Sequence, residues 1–300
     1  MLKINRKIRL IQSEHLSLGN NNWGAISKSM SSLHHDKGIN CYEWLDRAFK
    51  DKCVIGPWVG FLHNPIAHPD EYPQKYSNST ISISKIVKDK YFLKSLESSK
   101  GIFVFTKQIK DYIIQQTGFS DVENFFHPCV NYSNKWFEFK KLIHVGQQFR
   151  KYHSFINVKS NFTKIMIKPK WCENDLIEMK KYSPSLEIKI LDQLKLDDYL
   201  KILCESVVFI DLYDSAACNT IIECIILNVP IIVNKIPGCI EYLGEGYPGY
   251  YDDIEEASKK INDHSLIISA NKYLKNMNKN NLKIQSFLNS FCSSDLYKKI

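Results

Sequence analysis

No run in this 300-residue chain reaches the roughly 18 consecutive apolar residues that a membrane span needs. The opening stretch MLKINRKIRLIQSEH has a basic flank, but its apolar part is too short for a secretory h-region. None of the nine cysteines stands in a Cys-x-x-Cys pair or at zinc-finger spacing. Most lie in apolar runs, where a thiol behaves as a small buried hydrophobe. A reduced, cytoplasmic chain without a transmembrane segment is therefore expected. There is no Arg-rich block and no aromatic pattern of the RNA-recognition kind. The net charge of +8 is scattered, and no nucleic-acid partner is expected. No Asp-x-Asp metal motif occurs, and no twin carboxylates of the sort glycoside hydrolysis uses. No metal site is expected.

What is present is alternation. At 44% hydrophobic, the chain can form two α/β domains. Apolar runs predict short strands over residues 8–11, 40–45, 57–63, 102–105 and 124–126, with helices over 25–34, 85–98 and 107–117. The polar stretch 131–140 reads as a linker. Strands then follow at 142–145, 164–167, 186–191, 207–212 and 230–233. Helices are expected at 172–182, 196–204, 220–228, near 240–243, at 254–261, and as one long element over 266–291. Strands alternating with helices at this spacing indicate doubly wound parallel sheets. The expected architecture is α/β, with two Rossmann-like domains (1–139 and 140–300) facing across a cleft. The last helix is free to return to the first domain or to serve an interface. Clefts of that kind favour small ligands.

The densest signal is the run VVFIDLYDSAACNTIIECIILNVPIIVNKIPGCIEYLGEGYPGYY over residues 207–251. It reads as strand, loop, buried helix, strand, loop, helix. Asn219 and Glu223 are four apart on one helix face, near the end where free amides and the macrodipole attract anions. A carboxylate there can accept two ribose hydroxyls while the amides hold phosphate. Thr220-Ile221-Ile222-Glu223 also fits a capping box that merely ties back the helix start, and both readings stay open. Earlier, the strand ending in Gly146 is followed by Arg150 and Lys151. They are either diphosphate cations beside a close backbone approach or a solvated pair. His63 closes the PWVGFLH strand before Asn64-Pro65. It reads as a base on an acceptor hydroxyl or as a turn histidine bonding backbone. The YPGYY tract stacks on a base or sugar, or packs a strand edge.

At these residues the chain resembles the GT-B-fold glycosyltransferases, and among them family 4. It also looks like proteins of giant viruses and of bacterial surface-polysaccharide clusters. The matching pieces are GPWVGFLHNP, GIFVFT before a helix, the Gly146 turn with its basic residues, and NTIIECIILNVPIIV followed by PGCIEYLG. The resemblance implies a nucleotide-sugar donor in the C-terminal domain and a glycan or other hydroxyl acceptor at the N-terminal one. It implies no metal or further cofactor. By it, Glu223 holds the nucleotide ribose, Asn219 and Thr220 lie near the diphosphate with Arg150 and Lys151, and Glu241 is the acidic residue of the next helix. The spacing after the glycine is altered by Gln147 and Gln148. Many retaining members carry a second glutamate eight positions before the first. That position is Ser215 here, beside Asp214, so retention and inversion are both open. The location implied is the cytoplasm, of the host cell if the chain is viral.

The expected function is glycosyl transfer from a nucleotide-diphospho-sugar. Two alternatives stand beside it: a catalytically degenerate GT-B-fold binding or scaffold protein, and a nucleotide-sugar epimerase.

Overall fold

The structure, a computed structural model, describes residues 7–11, 22–49, 52–66, 82–132, 138–146, 149–167 and 188–300. The chain divides into two compact units: Met1–Val130 with Asn280–Ile300, and Asn131–Lys279.

The first unit contains β1 (Ile8–Ile11), α1 (Asn22–Met30), β2 (Ile39–Tyr42), β3 (Trp58–Phe61), α2 (Ile83–Ile86), α3 (Lys90–Leu96), β4 (Ser99–Val104), α4 (Lys107–Thr117) and β5 (Val122–Asn124). Its five strands are all parallel and lie in chain order, β1-β2-β3-β4-β5. Parallel strands are covered on both faces, which is why β3 and the second half of β4 read as continuous apolar runs. Helix α4 shows how local sequence sets its bounds. The Thr106 hydroxyl accepts the Ile109 amide at its start, and Gly118 ends it at φ 71°.

The second unit runs β6 (Lys141–His144), α5 (Tyr152–Asn157), β7 (Thr163–Ile167), β8 (Ile188–Leu191), α6 (Leu196–Cys204), β9 (Ser206–Ile210), α7 (Asn219–Leu227), β10 (Ile231–Asn234), α8 (Pro237–Leu243), β11 (Tyr250–Tyr251), α9 (Ile254–Asn262) and α10 (His264–Asn276). The strand order is β11-β10-β9-β6-β7-β8, all parallel. Leu142, Phe155, Val207, Phe209, Ile232 and Ile261 belong to one buried core cluster. Helix α7 is buried on nearly every side and ends at Asn228, in the left-handed region at φ 59°.

The chain closes with α11 (Ile284–Ser293) and α12 (Asp295–Lys299), both in the first unit. Phe287 and Phe291 pack their rings against Phe61 and Phe125, and Phe291 also meets Phe103. Leu296 lies on Gly101, where a β-carbon would come within 2.6 Å of it.

Two predicted helices are divided. The 85–98 segment is α2 and α3, because the Asp89 carboxylate accepts the amides of Tyr91 and Phe92 and so caps a new start. The 266–291 segment stops at Asn276, with Met277 extended (ψ 139°), makes a 3-10 turn at Asn280–Leu282, and resumes as α11. The asparagines between compete for the backbone and break the run. Helix α5 was not expected, and the helix predicted at 172–182 falls outside the described residues. Among the described residues, no helix is long and apolar enough to cross a membrane.

Candidate functional site

Open parallel sheets bind ligands where neighbouring strands send their connections in opposite directions. In the second unit that switch lies between β6 and β9. The chain leaves β6 through Gly146 and β9 through Asp211, and the two exits are laced together. Lys151 donates its amide to the Asp211 carbonyl at 2.8 Å, and Tyr213 donates its own to the Phe149 carbonyl at 3.0 Å. Phe149 takes φ 60° to make the turn. Arg150 stands opposite Leu212 in an isolated antiparallel bridge.

The Arg150 side chain organises this corner. It is buried, with Nε donating to the Val145 carbonyl at 3.3 Å. One terminal nitrogen donates to Cys218 Sγ and Thr220 Oγ1, each at 3.2 Å. Gly146 has φ 84°, and a β-carbon there would lie 2.7 Å from that same nitrogen. The glycine is thus required twice over, by its backbone angle and by the guanidinium lying on it. Behind them His144 is fully buried. Its Nδ1–H donates to the Phe209 carbonyl at 3.2 Å, and Nε2 has no partner. Burial, then the charge of Arg150, lowers the imidazole to about 3, so it is neutral.

Helix α7 starts at this corner. Its N-cap is Cys218, and no side chain caps it. Asn219, its first residue, is exposed, whereas Thr220 is buried under Arg150. Glu223 lies one turn deeper and half-buried. Its Oε2 accepts the Tyr199 hydroxyl at 2.5 Å. The capping-box reading therefore fails: Thr220 is inside the helix and its hydroxyl serves Arg150.

The other expected residues are placed as follows. Lys151 pairs with Asp211 at 3.2 Å, and Asp211 also accepts the Ser154 hydroxyl at 2.6 Å. Its ammonium is thus engaged by a buried carboxylate instead of standing beside Arg150. Asp214 accepts the Ser215 amide at 2.8 Å. Ser215 is buried, its hydroxyl without a partner, and its carbonyl is so close to α8 that a β-carbon on Gly238 would fall 1.9 Å away. Glu241 is half-buried one turn further along α8. The YPGYY tyrosines pack a strand edge. Tyr247 bonds the Ile231 backbone, Tyr250 the carbonyls of Cys239 and Gly244, and Tyr251 the Ile210 carbonyl.

His63 belongs to the first unit. Its Nε2–H donates to the Glu43 carbonyl at 2.8 Å, and its ring stacks on Trp44 and meets Trp23 edge-on. Burial, then His127, lowers it to about 3. Its amide and that of Asn64 bond Asp46, whose own burial raises that carboxyl to about 6.

Direct contacts thus join Gly146, Arg150, Cys218 and Thr220, with Glu223 on the same helix. Tyr199, Asp211, Cys218 and Gly238 were not foreseen. Tyr199 carried one usable signal, a phenol on the apolar stripe of α6 that needs a polar partner. Among the described residues, no group of three or more His, Cys, Asp or Glu is arranged to hold a metal ion.

No family model and no curated protein matches the sequence. Solved structures match by shape. A TarM mutant of S. aureus, in complex with Fondaparinux, alpha-GlcNAc-glycerol and UDP, aligns with TM-score 0.66 at 15% identity, over 93% of this chain and 59% of that one. Anabaena HepE in complex with UDP and glucose aligns with TM-score 0.62 at 12% identity, over 94% and 84%. The trehalose-6-phosphate synthase OtsA aligns with TM-score 0.63 at 12% identity, over 91% and 74%. The fold is GT-B. At these identities the likeness is one of fold, and the chain spans 59% of the length of TarM. Its two parallel sheets are the Rossmann-like halves of a GT-B chain, and the Arg150 corner is the switch point of the second half.

Proposed function

We propose that the chain transfers a glycosyl group from a nucleotide-diphospho-sugar, held by the second unit, to a hydroxyl of a glycan or other acceptor. The observation that carries this reading is the arrangement at the β6/β9 switch point: a buried guanidinium beside an uncapped helix start, with a carboxylate one turn in. Each part suits one part of the donor. Helix amides and Arg150 suit a diphosphate, which leaves with the electron pair of the broken anomeric C–O bond. Glu223 suits a ribose diol. The acceptor oxygen forms the new bond at the anomeric carbon and gives up its proton to the departing diphosphate. In this reading His63 meets the acceptor as a neutral hydrogen-bonding group, because burial holds its pKa near 3. Asp214 is the carboxylate next to the position where many family members carry glutamate. The UDP and UDP-glucose held by TarM and HepE make uridine nucleotides the first probes.

The test is a thermal-shift screen of UDP, GDP, ADP and CMP with their sugars, on wild type and Glu223→Ala. A nucleotide at about one hundred times its dissociation constant stabilises by about 2.7 kcal/mol. For a chain of this size that is roughly 5–10 °C. One nucleotide family should shift the wild type and lose most of the effect in Glu223→Ala. An unchanged shift in the variant removes the ribose assignment. Product analysis then separates transfer from epimerisation of the free nucleotide-sugar and from binding alone.

A further inference from the structure

We propose that Tyr199 is a positioning residue that sets ribose-over-deoxyribose selectivity at Glu223, an inference that rests on the nucleotide reading above. Helices α6 and α7 flank β9 in the chain, and the Tyr199 hydroxyl ties them by donating to Glu223 Oε2 at 2.5 Å. That length is typical of a hydroxyl donating to a carboxylate, the strong charge-assisted kind. The phenol is a permanent donor here. Burial, then the charge on Glu223, holds its pKa well above the ordinary tyrosine value.

The tie matters because of what a diol needs. Two vicinal hydroxyls bind a carboxylate best when each meets one oxygen, so the carboxylate plane must be fixed before the ligand arrives. A glutamate reaches that plane through three rotatable bonds. Tyr199 occupies one acceptor position on Oε2 and fixes the last of those bonds, and a carboxylate has about four such positions to offer. With phenylalanine at 199, this restraint is lost and more of the ordering falls on binding. That ordering weakens a diol ligand by about three- to tenfold. A 2′-deoxynucleotide presents no diol and draws little on the preset carboxylate, so its affinity changes little.

Isothermal titration of the full chain with UDP and 2′-deoxy-UDP tests this, with the GDP and ADP pairs run alongside. The proteins are wild type, Tyr199→Phe, Glu223→Gln and the double variant. Tyr199→Phe should weaken the ribonucleotide about three- to tenfold and the deoxynucleotide less than about twofold. The Tyr199 effect should vanish in the Glu223→Gln background, since the two act as one unit. Equal weakening of both ligands would mean a structural role only, and no weakening would mean no role. If Glu223→Gln still lost selectivity in either case, the nucleotide reading would stand and the Tyr199 proposal would fall. Wild type binding none of the nucleotides overturns both.

Discussion

A β-carbon at position 146 would lie 2.7 Å from the Arg150 guanidinium, while at position 118 it would meet nothing within 4 Å. Both glycines have left-handed φ, 84° and 71°. Gly118→Ala therefore isolates backbone strain, about 1–2 kcal/mol. Gly146→Ala adds the displacement of a guanidinium bonded to Val145, Cys218 and Thr220, about 1.5–3 kcal/mol more. Urea unfolding, read for each residue's own unit, should show that difference. Equal losses would mean that Arg150 moves aside without cost. Sequence spacing located this corner, since a glycine ending a strand with cations four and five residues later is visible. It could not tell the two cations apart. Arg150 turns towards α7 and Lys151 towards Asp211, a choice made by a loop more than fifty residues away in the chain. Nor could it show that Thr220 lies inside α7 and serves Arg150, because the partners of Thr220 and Glu223, Arg150 and Tyr199, sit on other elements.

Elements were legible where burial was complete. The runs in β9 and β10 are apolar without alternation, as two-sided parallel strands must be, and α7 is apolar nearly all round. Legibility failed where local polar chemistry interrupts an apolar pattern, at Asp89 and in the asparagines after α10. The second case changes the architecture, because the segment past the break belongs to the first unit. Phe291 on α11 is fully buried, with ring centroids 4.9 Å from Phe103, 5.0 Å from Tyr297 and 5.6 Å from Phe61. Phe291→Ala should cost the first unit about 3–5 kcal/mol. Hydrogen exchange of fragments from β3 and β4 should accelerate, while fragments from β9 and β10 keep wild-type protection. A loss below about 1 kcal/mol would show that the returning helix is peripheral to that core.

Acid acts on both units through buried histidines. The first holds two neutral buried histidines, His63 at about 3 and His127 at about 4, each lowered mainly by burial. The second holds His144, fully buried and also at about 3. Below about pH 6.5 the unfolded chain protonates such residues and the folded one does not. Each then removes about 1.4 kcal/mol of stability per pH unit, down to its folded pKa. Buried carboxyls with raised pKa have the opposite sign. The folded state takes up their proton first as pH falls, so between about pH 6 and 4 they add stability. The first unit has two of these, Asp46 at about 6 and Glu43, both raised by burial. Its carboxyl contributions oppose those of its histidines in that window. In the second unit the acid-labile group is His144, held neutral by burial and by Arg150. From pH 6.5 to 5 His144 should cost the second unit about 2 kcal/mol, while the response of the first is the difference between its histidines and its carboxyls. Exchange rates of fragments from each sheet, followed over that range, report the two separately. His144→Gln should flatten the response of the second unit alone. An unchanged response in His144→Gln would mean that His144 does not carry the acid lability of the second unit. The same proton, when it finally enters, sets a second positive charge beside Arg150 and strains the corner on which the donor reading depends.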